Sequence, residues 1–268
     1  MASICDGVRN VAHVSCNVMS HHDFEADGFL QDLAGIGGLG DRSLLLIARC
    51  RVDAYQDNLF DRYSIEFPQM LTKSACKRKA QFLAGRVLSR LAISRLGGQS
   101  GDVRVGHARQ PLWPTGFRGS ISHRHEHVAG LATCNTDFYS GVDIEEVCTE
   151  RRSRAVAAIA FVEQERRFLR SFPHDPDLLT TLLFSAKETL FKALFPSVGR
   201  YFRLTDMVVC SLNIAERTLF LELARDFNER LPRKTRFRID FLFRATNVVT
   251  WTNGAPKRFR HHGAALVE

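Results

Sequence analysis

Between Leu178 and Phe195 the chain is apolar on almost every side of a helix: Leu178, Leu179, Leu182, Leu183, Phe184, Leu190, Phe191, Leu194 and Phe195 leave no polar stripe. A helix without a polar stripe is mostly buried, so the rest of the chain must enclose it. Yet the run Phe184-Ser185-Ala186-Lys187-Glu188-Thr189-Leu190-Phe191-Lys192 places one acid and two lysines on that helix. Buried charges are costly unless they are paired or bind a metal. Glu188 and Lys192 are i, i+4 neighbours, a spacing that a surface ion pair also explains. On a buried helix the same residues become candidates for a site. Pro196 is expected to close the helix.

With 268 residues, the chain can bury a core of its own, as one large domain or two of about 130 residues. Its 45% hydrophobic and 25% charged residues exclude a disordered or fibrous chain. The 7 cysteines are scattered, with no C-x-x-C pair, which excludes a disulfide scaffold and a zinc ribbon and suits a reducing compartment. The longest aliphatic run, Leu44 to Ala48, is far short of the roughly 20 apolar residues that span a bilayer. No basic start followed by an apolar stretch opens the chain. A soluble, cytoplasmic protein is the expectation.

The net charge of +8 is unevenly placed. The first 67 residues are acidic, whereas Lys73 through Arg124 holds eleven basic residues against Asp102 alone. A third block, Arg230 to Arg260, has nine basic residues against Asp240. Such fields attract phosphates or acidic partners, although solvated faces look the same in sequence.

The leading 40 residues are weakly patterned and read as irregular. Thr72 to Leu96 is an amphipathic helix by the spacing of Ala75, Phe82, Leu83, Val87, Leu88, Leu91 and Leu96, stopped by Gly97-Gly98. A Pro- and Gly-punctuated loop, Gln110 to Gly116, leads to strands near Gly119–Ser122, His127–Thr133 and Ser140–Val147. Helix follows over about Ser153–Phe172. Strands return at Met207–Leu212, Arg217–Leu223, Arg236–Phe243 and Val248–Thr252, the last ending in an Asn253-Gly254 turn. Helix and strand in each half predict an α+β fold of two subdomains, residues 1–135 and 136–268.

Three further patterns bear on chemistry. In Gly141-Val142-Asp143-Ile144-Glu145, a strand turns Val142 and Ile144 to the core and puts both carboxylates on the other face, about 6.5 to 7 Å apart. Paired hard carboxylates suit Mg²⁺, and a solvated edge strand would look alike. Gly119-Ser120-Ile121-Ser122-His123 can present a hydroxyl and an imidazole at a strand tip. His123, His125 and His127 alternate, which on one strand would give a shared face and a transition-metal site. Gly35 to Gly40 matches G-x-G-x-x-G only formally, because a strand-like Leu44-Leu45-Leu46-Ile47 follows where the dinucleotide motif needs a helix. On the first helix Arg78 and Arg86 lie about 80° apart and about 12 Å along the axis, placed to reach one anionic ligand. That helix lacks interleaved aromatics, so nucleic-acid binding is weakly supported.

Taken in order, Arg78 to Arg86 (RKAQFLAGR), Arg109 to His123 (RQPLWPTGFRGSISH), Gly141 to Glu145 (GVDIE) and Phe184 to Lys192 (FSAKETLFK) resemble the 4′-phosphopantetheinyl transferases of the enterobactin-synthase component D type. The resemblance implies two pseudo-symmetric α+β subdomains with the active site in the cleft between them. It implies Mg²⁺-dependent transfer (Mn²⁺ being the alternative ion) of the phosphopantetheine arm of coenzyme A to a serine of an apo acyl, aryl or peptidyl carrier protein. Adenosine 3′,5′-bisphosphate is released. By motif, Asp143, Glu145 and Glu188 would hold the metal, Glu188 would also serve as general base, and Lys192 would neutralise pyrophosphate charge. Arg78, Arg86, Arg109, Ser122, His123 and Lys187 would bind coenzyme A. A siderophore, non-ribosomal peptide or polyketide pathway is implied, as is a monomer. Gln81 stands where the family commonly has Glu, and Gln110 where some relatives have Lys. Carrier proteins of this kind are acidic, so the basic surfaces after Arg118 and around Arg230 to Arg244 are docking candidates. The competing readings are a nucleic-acid-binding module and a His-cluster metal hydrolase.

Overall fold

A computed structural model describes residues 28–36, 39, 42–99, 102–172 and 175–257. The chain divides into two compact units, Met1–Thr136 and Asp137–Glu268. Each sets one long helix against one antiparallel sheet, the α+β class expected from sequence. No helix among the described residues is long and apolar enough to cross a membrane.

In the first unit, β1 (Leu30–Ile36), β2 (Ser43–Cys50), β5 (Arg118–Arg124) and β6 (His127–Thr133) form a sheet in the order β1-β2-β6-β5. β1 corrects the expectation of an irregular leading segment. Its alternation is broken by a register shift between Gln31 and Ala34 and by Asp32 at φ 54°, so no period-2 signal reaches the sequence. Gly35 and Ile36 lie in this strand, as an accidental glycine motif would; Gly37, Gly38 and Gly40 are outside the described residues. A four-residue helix α1 (Leu59–Arg62) contributes Phe60 to an aromatic cluster with Tyr55, Phe67 and Phe82. Helix α2 (Cys76–Arg95) buries Leu83, Val87, Leu88 and Leu91 in one cluster with Leu46, Ala48, Val128 and Ala132 of the sheet. The helix sits close because Gly85 has no side chain: a Cβ there would meet Ile121 Cγ2 at 2.7 Å. The expected loop over Gln110–Gly116 includes β4 (Pro111–Leu112), paired with β3 (Arg104–Val105).

In the second unit, β7 (Tyr139–Glu146), β8 (Met207–Asn213), β9 (Thr218–Leu223), β10 (Arg236–Arg244) and β11 (Asn247–Gly254) form a sheet in the order β7-β11-β10-β9-β8. β10 shows why the pattern was readable: Phe237, Ile239 and Phe241 are buried while Arg238 is exposed. The expected Asn253-Gly254 turn is instead the end of β11, paired with Ser140 and Tyr139. The expected single helix over Ser153–Phe172 is two, α3 (Glu150–Ala160) and α4 (Glu163–Ser171), parted by extended Phe161 and Val162. Helix α5 (Pro176–Val198) starts with Asp175 accepting the amides of Asp177 and Leu178, a side-chain cap. It runs through Pro196 and stops at Gly199, φ 70°. The proline is in the last turn, and the left-handed glycine ends the helix.

Candidate active site

α5 approaches β7 more closely than a side chain would allow. A Cβ on Gly141 would lie 2.1 Å from the Thr189 carbonyl oxygen and 3.0 Å from Ala193 Cβ. With a bare glycine at that point, the carboxylate face of β7 is the face covered by the helix. This decides between two readings that the sequence leaves open. Val142 and Ile144 are fully buried as anticipated, but Asp143 is also only 3% exposed, so its face is no solvated edge.

Beneath the helix, Asp143 accepts hydrogen bonds from Ser185 Oγ at 2.8 Å and Lys192 Nζ at 2.6 Å. Ser185 and Thr189 both bond the Thr250 hydroxyl, at 2.9 and 2.6 Å, tying α5 to β11. Glu145 accepts from Arg152 Nη2 of α3 at 2.8 Å. Glu188 stands near both carboxylates. Burial pushes its pKa above the ordinary 4.5, Lys192 opposes this, and the charges of Asp143 and Glu145 add to the rise. Glu188 thus holds its proton more tightly than a free carboxyl does.

The other cluster lies in the first unit. Arg78 Nη1 is 2.6 Å from His123 Nε2. A guanidinium can only donate, so His123 accepts through Nε2. Lys77 Nζ lies 3.4 Å from His125 Nδ1, so the first turn of α2 and the β5–β6 hairpin present a common cationic edge. Two turns further along, Arg86 is buried, its Nη2 is 3.4 Å from the Arg104 carbonyl, and its Nε finds no acceptor among the described residues. It packs over Phe82 at 4.4 Å, and burial lowers its pKa to about 10. A cavity of about 250 Å³ opens beside it, lined by Phe82, Arg86, Asp102, Val103, Arg104 and Val105 among others. Ser122 is buried on β5. Arg109 is exposed between β3 and β4, at φ 62°.

Residues 67–133 match the 4′-phosphopantetheinyl transferase N-terminal domain family, and residues 140–250 match the 4′-phosphopantetheinyl transferase superfamily. Enterobactin synthase component D of Salmonella typhi is 32% identical over 195 residues, 73% of this chain and 80% of that protein. The chain belongs to the 4′-phosphopantetheinyl transferase superfamily. The 4′-phosphopantetheinyl transferase Svp of Streptomyces mobaraensis is 31% identical over 54% of this chain and 61% of its own length. The 4′-phosphopantetheinyl transferase Npt of Nocardia iowensis is 32% identical over 49% and 59%. This chain is accordingly an enzyme of the phosphopantetheinyl transferase class, which draws on coenzyme A and acts on carrier proteins.

Several sequence expectations change once the transferase is seen folded. Lys187, expected beside coenzyme A, is fully buried on the opposite side of α5, where it meets Glu165 Oε2 at 2.7 Å and the Ala160 carbonyl at 2.8 Å. Residues 185 and 187 are two steps of about 100° apart on a helix, so Lys187 cannot share the Ser185 side. The three histidines do not line one strand: His123 is on β5, His125 sits in the turn at φ 51°, and His127 opens β6. Among the described residues no three His, Cys, Asp or Glu side chains are grouped so that they could hold a metal ion. The block around Arg230 to Arg244 is partly spent within the unit, Arg236 on Glu222 and Arg238 on Asp240.

Three partners escaped the sequence reading. Arg152 and Ser185 fix the two β7 carboxylates. Gln81 Nε2 donates to the His125 carbonyl at 2.7 Å, a bond that a carboxylate could not make. Ser185 carried a signal as the small polar residue inside the charged run of a buried helix, and Gln81 as a departure from the family's Glu; Arg152 carried none.

Proposed function

We propose that this enzyme transfers the phosphopantetheine arm of coenzyme A to a serine of an apo acyl, aryl or peptidyl carrier protein and releases adenosine 3′,5′-bisphosphate. The observation that carries the reading is the Lys192–Asp143 pair between α5 and β7, with Glu188 of α5 close enough for the charges of Asp143 and Glu145 to act on it. Arg78, His123 and the cavity beside Arg86 support a grip on the nucleotide phosphates, with Ser122 next to His123 and Arg109 toward the adenine or ribose end.

The donor chemistry suits a hard divalent cation, although among the described residues the three carboxylates are not gathered into a group that could already hold one. It is all oxygen, and burial first, then the charges of Asp143 and Glu145, raise the pKa of Glu188, the charge part being what an added cation would relieve. Mg²⁺ commonly takes one or two carboxylates and completes its shell with waters and substrate phosphates, so an open carboxylate set suits it better than a closed cage. Asp143, Glu145 and Glu188 would hold it, and Mn²⁺ is the alternative ion. When bound, it supplies charge neutralisation at the pyrophosphate.

The residues of the chain do the rest. Glu188 accepts the serine proton while the serine oxygen bonds to the phosphorus on the pantetheine side of the pyrophosphate. The bond from that phosphorus to the bridging oxygen breaks, and the electron pair leaves with adenosine 3′,5′-bisphosphate. Lys192 keeps a positive charge beside the oxygens that gain charge, the kind of electrostatic positioning that phosphoryl transfer relies on. Likeness to enterobactin synthase component D supports a siderophore or related assembly-line pathway. Release of adenosine 3′,5′-bisphosphate, followed by chromatography with and without Mg²⁺, tests the reading. Release should require the metal and the carrier together, and release without either would contradict it.

A further inference from the structure

Helix α5 has an unusual positioning problem. A helix that is apolar all round gains nearly the same burial at many rotations about its axis, so hydrophobic packing sets its depth better than its rotation. Direction must come from polar bonds. On one side they are Ser185 and Thr189 to Thr250, with Ser185 and Lys192 to Asp143. On the opposite side stands a single charged group, Lys187. Its ammonium donates to Glu165 Oε2 and to the Ala160 carbonyl, and lies 5.1 Å over the Phe161 ring.

Glu165, 1% exposed, is itself fully used. Its Oε1 accepts the Val209 amide of β8 at 2.8 Å, and its Oε2 accepts the Val162 amide at 2.9 Å as well as Lys187. The Ala160 carbonyl that Lys187 takes is the last of α3, the helix whose Arg152 holds Glu145. One buried pair therefore registers α3, α4, α5 and β8 together. Replacing such pairs by apolar groups is often neutral or stabilising, so stability alone gives little reason to bury one here.

We propose that Lys187 and Glu165 are positioning residues: the pair sets the rotation of α5 and thereby aims the neighbouring Glu188 carboxylate. The inference rests on the transferase reading above and deepens it. It turns a lysine of the resemblance's own motif from a cofactor contact into an internal bolt.

The test compares full-length Lys187→Met, Lys187→Arg and Leu183→Ala. The last opens a core cavity on the same helix and controls for lost stability. Each is assayed at the same interval below its own Tm for kcat and KM on an apo carrier, and for the Kd of adenosine 3′,5′-bisphosphate. A misplacement on the order of 1 Å costs about 100-fold in rate. Lys187→Met should therefore lose about 10- to 100-fold in kcat, with the bisphosphate Kd within about threefold of wild type. Lys187→Arg should recover most of the loss, and Leu183→Ala should keep kcat within about threefold. If Lys187→Met does not fold, Lys187→Gln, which keeps an amide donor, is judged by the same split. A folded Lys187→Met or Lys187→Gln enzyme with unchanged kcat, or one whose loss Leu183→Ala matches, overturns the proposal. A wild-type chain that modifies no carrier would instead sink the transferase reading. The position of Glu188 relative to Asp143 in a Lys187→Met crystal structure would then decide the positioning claim by itself: displaced supports it, unmoved refutes it.

Discussion

Gly141→Ala is the smallest change that should separate Glu188 from the β7 carboxylates without removing any of them. The added Cβ would stand 2.1 Å from the Thr189 carbonyl oxygen, whereas ordinary contact begins at 3.4 Å, so α5 must retreat by about 1.3 Å, the difference between the two. Backbone cannot swing aside as a flexible side chain can, and Ala193 N at 3.1 Å blocks a sideways shift. Overpacking of this kind costs about 1 to 3 kcal/mol, which for a unit of this size lowers Tm by roughly 5 to 10 °C. The functional cost is larger. Moving Glu188 and Lys192 about 1 Å from Asp143 and Glu145 should reduce kcat by on the order of 100-fold. Adenosine 3′,5′-bisphosphate, which calls on the first unit, should bind as before. Calorimetry with the bisphosphate and steady-state transfer to an apo carrier measure the two halves. A folded Gly141→Ala enzyme with kcat within threefold of wild type would refute the close-approach reasoning.

Charge-assisted contacts to phosphate are worth roughly 1.5 to 3 kcal/mol, so Arg78→Ala or His123→Ala should weaken coenzyme A binding about 10- to 100-fold by calorimetry. Unchanged affinity would remove the substituted residue from the site. Gln81→Glu puts a carboxylate against the His125 carbonyl that Gln81 now bonds. It should raise the KM for coenzyme A several-fold, about 3 to 10, with kcat retained, and a kcat loss at unchanged KM would speak against it. Because the folded protein holds the pKa of Glu188 above the ordinary 4.5, the ionised group opposes folding. Its favourable contribution is complete below that ordinary value and is lost as pH rises through the folded one. Without metal, Glu188→Gln should therefore melt higher than wild type near neutral pH, the gap closing as pH falls toward about 4.5. A gap that widens on acidification would contradict the burial of Glu188.

What could be read ahead of the structure was whatever repeats at helical or strand period. α2 and β10 carry clear periods, α5 stands out by its unbroken apolar run, and the four motif segments fall on α2, the β3–β5 region, β7 and α5. What could not be read was rotation. Lys187 and Glu188 are adjacent in sequence, and on a helix apolar all round nothing local says which of them faces the carboxylates. Glu165 decides it from 22 residues away, inside a Glu163-Gln164-Glu165-Arg166-Arg167 run that looks like any solvated surface. Pro196 misled for a related reason: a proline marks where one hydrogen bond is forfeited, while the true stop was the left-handed Gly199. β1 went unseen because its bulge erased the alternation on which strand recognition depends.

Intact-protein mass spectrometry of an apo carrier protein, incubated with this enzyme, coenzyme A and Mg²⁺ beside a Glu188→Gln control, tests the central claim most directly. The predicted result is a mass gain of one phosphopantetheine group per carrier, abolished in the control. A carrier that gains the same mass at the same rate with Glu188→Gln would contradict the role given to the carboxylates under α5. No gain with acyl, aryl and peptidyl carriers alike would contradict the transferase reading itself.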